Sequence, residues 1–319
     1  MNILITGGAG FIGSNFCQYA VNKYPNDNFI CLDALTYAGN MENLKDVLKN
    51  TNFTFVKGDI CDINLIDELF QQYCFDIVIN FAAETDVDRS IENSSAFIKT
   101  NVIGVQVLLD VCKKYGIKRF HQVSTDEVYG DLSLDDEIKF YENSPLKPSN
   151  PYSASKAAAD MLVIAYNRTY GVPITISRSS NNYGKHQHIE KLIAGTITKA
   201  LQDKKITIHG TGEYVRDWLY VLDNCEAIDL IVRYGKNGEI YNIGANNELS
   251  NIKVVNKILK YLNKDKSLIV YVDNRLGQDI RYALDISKIQ KQLNWRPRHD
   301  FEKSLYQTIE WYKSKYKQM

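Results

Sequence analysis

The chain has 319 residues, 38 Lys and Arg against 38 Asp and Glu, 45% hydrophobic residues and 18 Gly. At roughly 100–200 residues per domain, this length gives about two domains, and the composition excludes collagen-like, disordered and small disulfide-scaffold classes. A formal net charge of zero argues against a dedicated nucleic-acid binder, which carries a basic surplus.

In chain order, residues 3–6 read as a short strand, 14 to about 23 as a helix, 29–32 as a second strand and 53–56 as a third. Residues 64–73 read as a helix with Asn64 as its N-cap. A strand at 77–81, a long helix at 97–114 and a strand at 119–123 follow. This alternation predicts βαβ units, right-handed crossovers and a doubly wound parallel sheet of Rossmann type. Residues 151–170 read as another long helix, opened by Pro151, with a sixth strand at 174–177. After Ser180 the pattern loosens: 181–191 reads as loop, with short strands at 206–209 and 241–243. A helix at 253–262, a strand at 268–272 and helices near 287–293 and 301–316 close the described pattern. The expected plan is a cofactor-binding domain over 1–180, to which 217–244 returns, and a smaller α/β substrate-binding domain over 181–319.

No apolar run reaches the ~18–20 residues that span a bilayer, so no membrane association is expected. The apolar start, Met1 to Ile5, has no basic flank and is too short for the core of a secretory signal. The six cysteines (Cys17, Cys31, Cys61, Cys74, Cys112, Cys225) contain no CxxC pair and read as reduced small hydrophobes of a cytoplasmic protein. The five histidines form no HExxH, and no metal site is expected.

The first strand runs into Gly7-Gly8-Ala9-Gly10-Phe11-Ile12-Gly13 and then a helix. Such a loop needs one glycine for the turn, one for backbone approach to a pyrophosphate and one for helix–strand packing, while the helix N-terminus supplies free N–H donors for the anion. Asp33 ends the second strand at the distance expected of a carboxylate that binds an adenosine ribose diol. That carboxylate repels a 2′-phosphate, so NAD is favoured over NADP. Asp59, at the end of the third strand, is placed to meet the adenine. Ser124-Thr125-Asp126-Glu127 follows the fifth strand, where open α/β sheets bind ligands, and its adjacent carboxylates suit paired acid–base work. Tyr152 and Lys156 lie one helical turn apart. A nearby ammonium is expected to lower the Tyr152 pKa toward working pH, so that the phenol accepts a proton from an alcohol losing hydride.

These motifs, together with Asp33-Ala34-Leu35-Thr36-Tyr37-Ala38-Gly39-Asn40, Ala82-Ala83-Glu84, Val87-Asp88-Arg89-Ser90, Ser180-Asn181-Asn182-Tyr183-Gly184 and Arg216-Asp217-Trp218, resemble the extended short-chain dehydrogenase/reductases. Within them the chain resembles the dTDP-glucose 4,6-dehydratases over nearly its whole length. The resemblance implies a lyase that oxidises C4 of a nucleotide hexose, eliminates water across C5 and C6 and returns the hydride to C6. Tyr152 would take the 4-hydroxyl proton, Thr125 would orient it, Glu127 would be the base at C5, Asp126 the acid at O6, and Lys156 the partner of Tyr152. Gly7, Gly10, Phe11, Ile12, Gly13, Asp33, Asp59, Ile60, Ala82, Ala83, Thr100, Tyr152, Lys156 and Asn182 would line the NAD site. Asn181, Lys191, Leu192, Arg216 and Asn251 would hold the sugar nucleotide, and a homodimer would pair through the helices at 97–114 and 151–170. Deoxysugar or surface-polysaccharide synthesis is the implied setting.

The substrate elements depart from the family pattern. Thr85-Asp86 replaces Ser-His, Lys185-His186-Gln187-His188-Ile189 replaces Pro-Tyr-x-Phe-Pro, Thr207-Ile208-His209 replaces Pro-Ile-Tyr, and Gln278 replaces a histidine. Thr85, Asp86, Thr207, His209 and Gln278 are therefore candidate specificity residues. UDP-glucose or a substituted glucose, a 4-epimerase reaction and a non-catalytic NAD-binding regulator are the alternatives.

Overall fold

The computed structural model describes residues 1–316. Its strands are β1 (Asn2–Thr6), β2 (Asn28–Asp33), β3 (Phe53–Lys57), β4 (Ile77–Asn80), β5 (Arg119–Thr125), β6 (Ile174–Ser179), β7 (Asn181–Tyr183), β8 (Ile206–His209), β9 (Val215–Tyr220), β10 (Glu239–Ile243), β11 (Glu248–Ser250) and β12 (Ile269–Val272). Its helices are α1 (Phe11–Lys23), α2 (Ile63–Tyr73), α3 (Val87–Glu92), α4 (Ser94–Phe97), α5 (Gly104–Tyr115), α6 (Pro151–Tyr170), α7 (Leu192–Leu201), α8 (Val221–Tyr234), α9 (Asn251–Leu262), α10 (Ser287–Leu293) and α11 (Phe301–Tyr316).

Seven strands form one sheet in the order β3-β2-β1-β4-β5-β6-β10, every pair parallel. Side chains alternate across a strand, so a sheet covered on both faces needs apolar residues at consecutive positions. β1 shows this directly. Ile3 and Ile5 pack with Phe16 of α1 and Ile228 of α8, while Leu4 packs on the opposite face with Leu108 of α5 and Val163 of α6. Strand order reverses between β1 and β4, which opens a crevice at their carboxyl ends. The other described strands form a three-stranded sheet, β11-β9-β7, and a pair, β12-β8. Helices α7, α9 and α11 pack beside them around Ile193, Ile197, Val254, Ile258 and Leu305.

Several elements differ from the sequence reading. Asp62, not Asn64, caps α2, its carboxylate accepting the amides of Asn64 and Leu65. The N-cap must stand just outside the helix, and the helix begins at Ile63. Residues 181–183, expected as loop, pair with β9, and α7, α8, β9 and β11 were not separated by the sequence pattern. β9 passes into α8 at Tyr220 with no glycine, proline or polar side-chain cap between them. β10 joins the large sheet beside β6, and α8 packs on α1.

Ser94–Tyr115 forms 22 helical residues that, by length and composition alone, are long and apolar enough to cross a bilayer, unlike the sequence reading. Half of the apolar window is buried inside the protein. Residues Ile98–Ile103 widen into a π-helical turn. Such turns recur at functional sites because they shift a helix face by one residue; here the turn carries Thr100 to the crevice and buries Asn101.

Arg178 on β6 and Asp160 on α6 make a fully buried ion pair at 2.9 Å, closed by the Tyr129 hydroxyl at 3.0 Å. Removing one partner strands the other charge in the core. Asp160→Leu is expected to cost about 3–5 kcal/mol in urea unfolding, and a loss under 1 kcal/mol, ~ the value of an exposed pair, would contradict a buried pair here.

Candidate active site

The glycine loop is built for close approach. Gly7 has φ +69°, and a Cβ there would lie 2.5 Å from the Ala82 nitrogen. A Cβ on Gly13 would lie 2.3 Å from the Gly7 carbonyl oxygen. Gly10 opens α1 without a side-chain cap, so the first-turn amides are left for an external acceptor. Asp33 accepts the Ala9 amide on one oxygen and the Leu35 amide on the other, each at 2.8 Å, and burial pushes its carboxyl up despite both bonds. One cleft gathers Gly7, Gly10, Phe11, Ile12, Gly13, Asp33, Asp59, Ile60, Ala82, Ala83, Thr100 and Asn182, and reaches Tyr152 and Lys156.

The same cleft ends at the carboxyl end of β5, where Thr125, Asp126 and Glu127 line its floor. Thr125 Oγ1 donates to Asp126 Oδ1 at 3.2 Å and accepts the Glu127 amide at 3.3 Å, fixing the turn. Asp126 is 1% exposed, and its Oδ2 has no partner. Burial first, and then repulsion from Glu127 and Asp217, raise its carboxyl well above the ordinary value against the pull of Arg216. Burial also raises Glu127, but Lys191, Arg216 and Arg275 oppose that rise. The two neighbours therefore differ: burial and like charge push the Asp126 carboxyl well up, while Lys191, Arg216 and Arg275 hold Glu127 back.

Tyr152 and Lys156 sit one turn apart on α6, positioned by Pro151 at the first turn and by a reciprocal Asn150–Ser153 cap. The phenol departs from expectation. Burial, then Glu127 and Asp126, push its pKa well above the usual value, with a Thr125 hydrogen bond opposing them. Lys156 donates to the Val123 carbonyl at 2.8 Å, and burial lowers its ammonium to about 8. The spacing places the pair on one helix face, but burial and the carboxylates opposite raise the phenol, and the Lys156 ammonium is turned to Val123.

A second cleft holds Asp86, Asn181, Lys191, Leu192, Thr207, His209, Arg216, Asn251 and Gln278, while Thr85 lines the first. Arg216 is not a free cation. Its Nη1 donates to the Val215 and Ile280 carbonyls and its Nη2 to the Asp279 carbonyl, with the guanidinium 4.4 Å over the Tyr282 ring. The clefts meet at Glu127, Asn181, Asn182, Gln187, Glu190 and Lys191.

Sequence reasoning missed Arg275, Gln187, Tyr282 and Asn101. Arg275 lines the second cleft with its Nε buried and unpartnered. The Arg275-Leu276-Gly277-Gln278 run was the available signal, read only at Gln278. Asn101 ties the chain after β4 to α6, bonding the Glu84 backbone on both sides and Ser155 Oγ.

The raised Asp126 carboxyl carries a stability signature. Folding raises its pKa, so the native state binds more protons than the unfolded chain between the ordinary carboxylate value and the raised one, and its contribution is lost as pH climbs through that window. Asp126→Asn does not titrate. Thermal melts between about pH 4 and pH 7 are expected to show the variant gaining on the wild type as pH rises; a constant gap would contradict the raised value.

A sequence profile for the family described as GDP-mannose 4,6 dehydratase matches residues 4–308. The dTDP-glucose 4,6-dehydratase of Haemophilus influenzae is 46% identical, with 98% of each chain covered. The crystal structure of DesIV, a dTDP-glucose 4,6-dehydratase from Streptomyces venezuelae with NAD and dTDP bound, superposes with a TM-score of 0.95 at 43% identity over 98% of this chain and 97% of that one. A Thermotoga maritima UDP-glucose 4-epimerase has a TM-score of 0.91 at 31% identity, covering 99% and 100%. The scaffold is therefore common to both reactions, and the choice between them rests on the site.

Proposed function

The chain belongs to the GDP-mannose 4,6 dehydratase family of extended short-chain dehydrogenase/reductases, and on that footing we propose that it converts dTDP-glucose to dTDP-4-keto-6-deoxyglucose and water with NAD as its resident cofactor. The observation that carries this reading is the adjacent pair Asp126 and Glu127 on the cleft that holds the glycine loop, the first buried with an unpartnered Oδ2 and the second facing Lys191, Arg216 and Arg275. A 4-epimerase needs no such pair, because it breaks no C–O bond.

The first cleft fits NAD by its own features. Side chains at Gly7 and Gly13 would fill the cradle, α1 offers uncapped amides to a diphosphate, and Asp33 has lone pairs left for a ribose diol. Ser124 Oγ and Asn182 Oδ1 are buried there without partners. When bound, NAD supplies a hydride acceptor for C4 and the donor for C6.

Tyr152 receives the 4-hydroxyl proton, with Thr125 orienting that hydroxyl. Its ionisation needs a cation, and Lys156, one turn away, is the one this chain supplies. The 4-ketone makes the C5 hydrogen acidic, and Glu127 removes it. Asp126, its carboxyl pushed up by burial, gives its proton to the departing 6-hydroxyl. Each positioned acid or base contributes ~10²–10⁴-fold. Asn181, Lys191, Leu192, Asn251 and Arg275 hold the nucleotide end, while Arg216 braces the wall through the 279–280 carbonyls. Residues 1–180 with 217–244 form the cofactor-binding unit, and the rest of 181–319 binds the sugar nucleotide. The protein works as a cytoplasmic homodimer joined through the helical stretch 94–115 and α6, where Ile98, Ile103 and Met161 are exposed.

Incubation with dTDP-glucose, UDP-glucose and other nucleotide hexoses, with product masses recorded, tests this reading. Loss of one water from dTDP-glucose is expected. An unchanged mass with an altered C4 configuration would point to epimerisation instead.

A further inference from the structure

We propose that Gln187, together with the facing carboxylates Asp86 and Glu190, reads the C2–C3 edge of the hexose as a hydrogen-bond donor, so that the substrate carries free hydroxyl or amino groups there and an acylated group is refused. This rests on the dehydratase reading, because that reading orients the sugar. C4, C5 and C6 must face Tyr152, Glu127 and Asp126, and C1 leads into the second cleft toward the nucleotide. The edge left over is C2–C3, and the junction of the two clefts is where it lies.

Gln187 is 8% exposed and lines both clefts. Its Nε2 donates to the Asn182 carbonyl at 2.8 Å, so the amide cannot flip without setting oxygen against oxygen. Its Oε1 is buried with no partner. The backbone is held as well, because the Tyr312 hydroxyl of α11 donates to the Gln187 carbonyl. A fixed, buried acceptor with an unfilled lone pair costs free energy until a donor reaches it. In the same second cleft, Asp86 accepts the Arg89 amide at 3.2 Å, and Glu190 lines both clefts. The Lys191 ammonium is turned to the Thr85 carbonyl at 2.8 Å and to Glu190 at 3.4 Å, and His188 Nδ1 sits 3.3 Å from the other Glu190 oxygen. The wall therefore presents mainly acceptors. A hydroxyl or ammonium satisfies it; an acetamido carbonyl meets like lone pairs, and a missing hydroxyl leaves Gln187 unpaired.

The test compares dTDP-glucose with its 2-deoxy, 3-deoxy and 2-acetamido analogues in the NAD-loaded wild type, Gln187→Leu and Asp86→Asn, with retained NAD reporting intact folding. In the wild type, one deoxy analogue is expected to raise KM roughly 10–100-fold with kcat little changed. Gln187→Leu is expected to impose a similar penalty on dTDP-glucose and no further penalty on that analogue. Asp86→Asn, which adds an amide donor, is expected to improve the 2-acetamido substrate relative to dTDP-glucose by about 10-fold. Deoxy analogues used as well as the parent, penalties that multiply in Gln187→Leu, or an unchanged preference in Asp86→Asn would each overturn the inference while leaving the dehydratase reading intact. A wild type that retains NAD but releases no water from dTDP-glucose would overturn both.

Discussion

Glu127→Gln is expected to abolish water loss while leaving the fold and NAD retention intact. The substitution is isosteric and removes a charge whose burial outweighs the pull of Lys191, Arg216 and Arg275. It therefore removes a desolvation cost, and thermal stability is expected to be equal or higher. Chemistry suffers because an amide cannot take the C5 proton. The loss should fall in the ~10²–10⁴-fold range of a positioned base, in kcat more than in KM. Hydride transfer from C4 uses Tyr152 and does not need Glu127, so nicotinamide absorbance near 340 nm, about the usual maximum of the reduced ring, should rise in the variant on adding substrate. Near-normal turnover, or a variant that neither dehydrates nor reduces its cofactor, would count against Glu127 as the base at C5.

Gly7→Ala is expected to have the largest effect on cofactor retention. Two costs coincide at this residue. The backbone sits at φ +69°, where an L side chain is strained, and the added carbon would lie 2.5–2.7 Å from the backbone of Phe81 and Ala82. A backbone neighbour cannot swing aside as a flexible side chain can. The loop must shift, and the α1 amides shift with it, so the purified variant should contain little or no NAD. Gly116→Ala is a fitting control: it shares a positive φ of 66° but meets nothing within 4 Å. It should lose about 1 kcal/mol of stability and keep its cofactor. Equal NAD content in the two variants would contradict the packing explanation.

What the sequence disclosed, and what it withheld, follows physical lines. α6 was legible because Pro151 marks its first turn, and the structure adds the Asn150 cap before it and Gly171 in the left-handed conformation after it. The parallel sheet was legible because β1 to β6 are short apolar runs, separated by α-helices everywhere except between β2 and β3. α8 was hidden because β9 enters it at Tyr220 without punctuation, so a strand period and a helix period meet with no boundary. The π turn at 98–103 was hidden because one extra residue per turn leaves no compositional mark.

At the site, residue types and spacing brought the glycine loop, Asp33, the Asp126–Glu127 pair and Tyr152 into one cleft, because the first three lie at the ends of β1, β2 and β5 and Tyr152 opens α6, which packs on β5. The partners of long side chains were not legible. Arg216 donates to three backbone carbonyls and Lys156 to Val123, and those contacts depend on loops distant in sequence. Gln187 gave no signal in its own right, since a lone glutamine in a polar loop is unremarkable until Asn182 and Tyr312 fix it.

The most direct measurement follows a single hydrogen. dTDP-glucose carrying deuterium at C4 is incubated with the protein, and the product is analysed by mass and NMR. One water lost, with the deuterium recovered on the new C6 methyl group, is the expected result. Deuterium released to solvent, or still attached to C4, would mean that this site does not move hydride between those two carbons.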